Sequence, residues 1–175
     1  MRTVYLVSGP AGVGKSTISL QFVHALQHSA YLSGDDISHM HVQGRKKPWE
    51  SEAELTLIWN NILSLALNFV THGVDVVVDY VTFPAQAKWL QDKLKNYHVS
   101  VVYVVLRADP ETLLKRDRLR LPEHQMGERC LILLREFEAS GVDPKHILDT
   151  SSMGEEDVVR VMEEIRGGKQ YRLEE

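Results

Sequence analysis

Cysteine is nearly absent from this chain of 175 residues: a single Cys130 cannot close an internal disulfide. With no second thiol for a paired-cysteine redox or zinc motif, it reads as packing within an apolar helical run. A disulfide-stapled scaffold is thereby excluded, and a reducing cytoplasm is the expected location. Also missing is an apolar run of the ~20 residues that a membrane helix needs; the longest, Leu55 to Val70, is interrupted by Thr56, Asn60, Asn61, Ser64 and Asn68. Met1-Arg2 leads directly into Thr3-Val4-Tyr5-Leu6-Val7, without the charged, apolar and small-residue succession of an export signal. Basic excess is lacking too. Twenty Lys and Arg stand against 24 Asp and Glu, a net charge of −4, so neither nucleic acid nor membrane is an expected partner. No internal repeat, low-complexity tract or linker divides the chain.

What is present is ordinary globular composition, 43% hydrophobic and 25% charged, at a length that suits one domain. Residues 1–166 are expected to form it, with a polar, loosely held tail over 167–175. Nearly continuous apolar runs at Val4–Val7, Ala30–Leu32, Val74–Val78, Val99–Leu106 and His146–Leu148 predict five parallel strands buried on both faces. Helical signals lie between them. Ser51-x-x-Glu54 is a capping box ahead of a 3.6-period apolar face that runs to Gly73. Pro84 opens a helix over 84–96, Asp109-Pro110 opens one through about Leu119, and Ser152-x-x-Glu155 caps a last one carrying Val158, Met162 and Ile165. Alternating strands and helices give an α/β class, a three-layer sandwich around a five-stranded parallel sheet, with ligands expected outside the carboxyl ends of the strands.

The first strand runs into Gly9-Pro10-Ala11-Gly12-Val13-Gly14-Lys15-Ser16-Thr17 and then an apolar helix. This is a complete P-loop in its strand-loop-helix setting. Its glycines allow successive backbone N–H groups to face phosphate oxygens, and the helix adds the positive end of its dipole. Lys15 supplies a mobile charge for the β- and γ-phosphates and Ser16 a hydroxyl for Mg²⁺. ATP and Mg²⁺ are the expected cofactors. A guanine-specific switch would carry Asn-Lys-x-Asp, and no Asn here is followed by Lys. Motor and unfoldase ATPases need more chain, so a compact transferase remains.

Three further motifs carry a resemblance: Gly34-Asp35 after the second strand, Asp79-Tyr80-Val81-Thr82-Phe83-Pro84 after the third, and Arg116-x-x-x-Arg120 before a polar segment ending in Met126-Gly127-Glu128-Arg129. With the P-loop, these make residues 1–166 resemble the small P-loop kinases, the group of gluconate, shikimate and nucleotide kinases, and above all bacterial kinase-like ATP-binding proteins. The resemblance implies a nucleotide-kinase-like fold with the third strand beside the first, a metal-holding carboxylate at Asp79, a mobile lid over about 120–129, and the loop Asp149-Thr150-Ser151 against adenine. The chain lacks the glycine triplet of shikimate kinases and differs in spacing from gluconate kinases after Gly34-Asp35, so no acceptor is carried across.

Residue chemistry supplies roles and their plainer competitors. Asp79 ends its strand where the P-loop emerges and suits Mg²⁺, unless it only caps the next turn. One of the adjacent Asp35 and Asp36 is placed to orient an acceptor hydroxyl and take its proton; the Gly34-Asp35 resemblance implies Asp35, leaving Asp36 as a helix cap. Arg116 and Arg120, four apart on one helical face, suit a clamp on the transferring phosphate, against a solvated charged face. Arg129 is positioned to swing in with the lid. His39-x-His41 and Arg45-Lys46-Lys47 read mainly as polar surface, and Trp49 as a rim residue beside the acceptor. The expected activity is transfer of the ATP γ-phosphate to a small hydroxyl-bearing acceptor. Its competitors are a nucleotide or polynucleotide-end kinase and an ATP-binding regulatory protein with little transferase activity.

Overall fold

A computed structural model describes residues 1–174; the side chain of Glu155 lies outside the described portion as well. The strands are β1 (Arg2–Ser8), β2 (Ser29–Ser33), β3 (Asp75–Asp79), β4 (Val99–Arg107) and β5 (Ile147–Asp149), all parallel, in the order β2-β3-β1-β4-β5. The helices are α1 (Lys15–Ala25), α2 (Gly34–His39), α3 (Glu52–Thr71), α4 (Pro84–Leu94), α5 (Pro110–Arg118), α6 (Glu128–Ala139) and α7 (Val158–Gly167).

The nearly unbroken apolar strands are explained by two cores. Val4, Leu6, Val76, Val78, Val101, Tyr103 and Val105 enter one core with α3 and α4. Their neighbours Tyr5, Val7, Val77, Val102, Val104 and Leu106 enter the other with α1 and α7. Successive side chains point to opposite faces of a strand, so a sheet covered on both sides needs apolar residues at every position. α3 is long and apolar enough by length and composition to cross a membrane, but Ile58, Trp59, Ile62, Ala66 and Val70 are buried against the sheet.

The ends of elements depart from the sequence expectations in four places. Ser51 caps α3 by accepting from the Glu54 N–H at 3.3 Å, yet the Glu54 carboxylate turns away to the His41 ring at 2.9 Å, so only half of the capping box forms. Ser152 does not cap α7; that helix begins at Val158 behind Asp157, whose Oδ2 accepts from the Gly154 N–H. Ser33, not Asp36, caps α2, accepting from the Asp36 N–H at 3.1 Å. The tail is not loose. Tyr171 is 2% exposed and donates to Glu164 at 2.8 Å, and the Leu173 N–H donates to the Val101 carbonyl at 2.9 Å. Two apolar residues in a polar segment are enough to dock it on the edge of the sheet.

Candidate active site

Parallel pairing decides which residues meet. Val7 is level with Asp79, and Asp79 with Ser33, so β1, β3 and β2 deliver the P-loop, Asp79-Tyr80 and Gly34-Asp35 to one edge. The exits of β1 and β3 are fastened together. The Ser8 hydroxyl donates to the Thr82 carbonyl and accepts from the Thr82 N–H, both at 2.8 Å, and the Tyr103 hydroxyl donates to the same carbonyl.

The loop from Gly9 to Gly14 bends through three glycines with positive φ, 136° at Gly9, 82° at Gly12 and 101° at Gly14, values that a side chain would oppose. It opens α1 with no side-chain cap and no acidic residue in the first turn. Those free N–H groups and the helix dipole suit an anion. Lys15 donates to the Pro10 carbonyl at 3.0 Å. Burial holds its ammonium pKa below the usual value, against the opposing pull of Asp79 and Asp35.

Asp79 is 6% exposed and accepts from the Tyr31 hydroxyl at 2.7 Å, and the Ser16 side chain lines the same cleft. Burial and Asp79 raise the Tyr31 pKa, so the phenol stays a donor. Ser16 and Asp79 offer hard oxygens of the kind Mg²⁺ takes together with substrate phosphates, with Tyr31 holding the carboxylate in place. Among the described residues there is no cluster of three His, Cys, Asp or Glu side chains that would suit a transition metal. His39 and His41 accordingly go separate ways, to the Asp35 carbonyl and to Glu54.

Asp35 is exposed at the cleft. Burial raises its pKa, Lys15 opposes the shift, and Asp79 adds to it. Gly34 explains the placement: a Cβ there would overlap the Tyr80 ring, so the absence of a side chain lets α2 close onto that ring. Asp36 is exposed beside it.

The two clamp candidates differ in their surroundings. Arg116 lines the cleft, but its four terminal N–H groups are directed to the Val13 carbonyl (3.2 Å), the Thr150 hydroxyl (3.1 Å), the Thr150 carbonyl (2.7 Å) and the Met153 carbonyl (2.9 Å). It ties the P-loop to the loop after β5. Arg120 is open at 42% side-chain exposure and touches Asp117 at 3.4 Å. Arg129 is neither free nor distant, pairing with Glu136 at 3.3 Å and lying 5.2 Å from the centre of the Trp49 ring.

Sequence reasoning missed Asp117. It is 2% exposed and accepts from the Met126 and Gly127 N–H groups at 3.0 and 2.8 Å, anchoring the segment between α5 and α6. It also packs with Cys130 against Gly12. The available signal was a carboxylate four residues after Leu113 on the buried face of α5. Cys130 is a packing residue, its thiol pushed up to about 11 by burial and by Asp117. Tyr31 had no comparable signal.

The P-loop, Asp35, Asp79, Arg116, Arg120 and Arg129 line one cleft of about 810 Å³, from Arg116, Thr150 and Met153 at one end to Asp35, Trp49 and Phe83 at the other. A family model described as AAA domain matches residues 4–130. The chain belongs to this family. Similar solved structures include a sugar kinase from Janibacter sp. HTCC2649, with TM-score 0.72 and 15% identity over 97% of this chain and 96% of that one. A gluconokinase from Sinorhizobium meliloti 1021 gives 0.63 and 16% over 96% and 93%. The tunicamycin resistance protein of Deinococcus radiodurans gives 0.63 and 19% over 95% of each chain. No curated protein matches the chain.

Proposed function

We propose that this AAA-domain protein is an ATP-dependent phosphotransferase acting on the hydroxyl of a small-molecule acceptor in the cytoplasm. The observation that carries the proposal is the convergence of an anion-ready P-loop, a shielded Lys15 and two separate carboxylates, Asp79 and Asp35, at the floor of one cleft. Simple nucleotide storage needs only the loop. A second carboxylate beyond Lys15, open to free cleft volume, suits an acceptor.

The roles follow from position. Backbone N–H groups of residues 9–17 and Lys15 hold the phosphates. Ser16 and Asp79 would hold Mg²⁺, with Tyr31 fixing the carboxylate; when bound there, the ion would draw charge from the β- and γ-phosphate oxygens. The acceptor oxygen bonds to the γ-phosphorus as the bond from that phosphorus to the β,γ-bridging oxygen breaks. The hydroxyl proton passes to Asp35, and ADP leaves with the bond's electron pair. Arg120, once released from Asp117, reaches the transferring group from the lid segment 120–129. Arg116 braces the nucleotide end.

The test is transfer of labelled γ-phosphate from Mg-ATP to a panel of alcohols. Lys15→Ala should remain folded and lose transfer by at least roughly 10²-fold, the usual cost of a transition-state electrostatic contact. Normal turnover in folded Lys15→Ala protein would refute the assignment.

A further inference from the structure

The acceptor end of the cleft has a chemistry of its own, and the inference drawn from it rests on the phosphotransferase reading. This end is bounded by Asp35, the turn at Pro48-Trp49, the start of α3, the segment after β3 and one face of α6. Its walls are mainly apolar: Trp49, Leu55, Val81, Phe83 and Leu133. The large surfaces are held in place. Phe83 packs on Phe137 with ring centres 4.5 Å apart. Trp49, 52% exposed, lies beneath the Lys47 ammonium at 5.6 Å and the Arg129 guanidinium at 5.2 Å.

Polar groups are few, and most already have partners. The Arg129 guanidinium reaches the Glu136 carboxylate at 3.3 Å. Arg45 donates to Ser38 at 3.0 Å, and neither it nor Lys46 nor Lys47 lines the cleft. Beyond Lys15 and Arg116, the cations that line the cleft are Arg120 and Arg129, each engaged by a carboxylate, at 3.4 Å to Asp117 and 3.3 Å to Glu136, so neither stands ready for a carboxylate- or phosphate-bearing acceptor. Gln86 accepts the Phe83 N–H at 3.2 Å, leaving its amide NH₂ as a neutral donor. With Asp35 needed at the reacting hydroxyl, the Gln86 amide and the paired Arg129 and Glu136 cannot satisfy the many hydroxyls of a polyol against indole, phenyl and leucine walls.

We infer that the acceptor is an uncharged amphiphilic alcohol, a reactive hydroxyl at Asp35 borne on a flat, aromatic or similarly apolar body that packs between Trp49, Leu55 and Phe83. Its polar remainder is small enough for the Gln86 amide to meet. Sugars and sugar acids fit this end poorly.

The test compares aryl-alkyl alcohols such as 3-phenylpropan-1-ol and 2-naphthylethanol with glucose, glycerol and gluconate, using Mg-ATP and measuring kcat/KM. Aryl alcohols should exceed the polyols by roughly 10²-fold, the scale on which apolar pockets discriminate. Trp49→Ala should reduce the aryl rate constant roughly tenfold, mainly through KM, while ATP affinity is kept and Trp49→Phe restores most of the loss. A higher kcat/KM for glucose or gluconate would overturn the inference and leave the phosphotransferase reading intact. Aryl alcohols that quench wild-type but not Trp49→Phe fluorescence, without being phosphorylated, would uphold the chemistry of this end and remove the phosphotransferase reading. If ATP binds and no aryl alcohol either binds or reacts, the inference is wrong.

Discussion

Replacing Gly34 with alanine tests how the acceptor-side carboxylate is held. A Cβ at this position would overlap Cγ and Cδ2 of Tyr80 and lie 2.6 Å from its Cβ, where carbon atoms settle at roughly 3.5–4.0 Å. Ring or helix must therefore retreat by about 1 Å. The ring cannot yield easily: Tyr80 is 6% exposed and packs near Trp59, with ring centres 5.9 Å apart. α2, a six-residue helix at the edge of the cleft, is the softer partner and carries Asp35 with it. Overpacking typically costs ~1–3 kcal/mol, and the alanine's helix preference returns at most about 1 kcal/mol. The net loss should be near 1–2 kcal/mol, about the difference of those terms, read as a lower urea midpoint with an unchanged slope. Moving Asp35 by an ångström should reduce transfer on the order of 10²-fold, whereas ATP affinity, set by the P-loop, should hold. Gly34→Ala protein with wild-type stability and transfer would refute the idea that the Tyr80 contact positions Asp35.

The remaining predictions probe the charges. Asp35→Asn should cut transfer by ~10²–10⁴-fold while retaining ATP binding. Because burial raises the Asp35 pKa in the folded protein, ionisation there costs stability above the folded pKa and nothing below the unfolded one. The variant should therefore melt higher than wild type at neutral pH, with the gap closing as pH falls towards about 4, and wild-type transfer should rise with pH along its acid limb. A variant that melts lower at neutral pH would contradict this. Arg116→Ala should destabilise the fold by ~2–3 kcal/mol, since charged hydrogen bonds to carbonyls are each worth ~1.5–3 and their loss is partly recovered from water; unchanged chemical denaturation would show that the brace carries nothing. Asp117→Asn should speed proteolysis between Leu121 and Arg129 by releasing the Met126 and Gly127 N–H groups, and a non-hydrolysable ATP analogue should slow that cleavage in wild type. Equal digestion patterns in all these samples would mark the segment as static.

Much of the architecture was legible along the chain, because local chemistry imposes it. Continuous valine-rich runs are required wherever a strand is covered on both faces, and they located all five strands to within a few residues. The P-loop was readable as it stands, since its glycines, lysine and serine act through the backbone they occupy. Asp109-Pro110 caps and opens α5 by a local hydrogen bond, 2.8 Å to the Thr112 N–H, as the sequence indicates. What lay beyond the sequence depends on contacts between distant segments. Tyr31 meets Asp79 across 48 residues only because β2 pairs with β3. Arg116 resembled a phosphate clamp until folding brought the carbonyls of Val13, Thr150 and Met153 within its reach. Glu54 left its local cap for His41, and Tyr171 drew a polar tail onto the sheet. Spacing along a chain encodes interactions within a turn or two of helix; the partners of a buried polar group, and the apolar lining of the acceptor end, are decided only when strand order brings remote segments together.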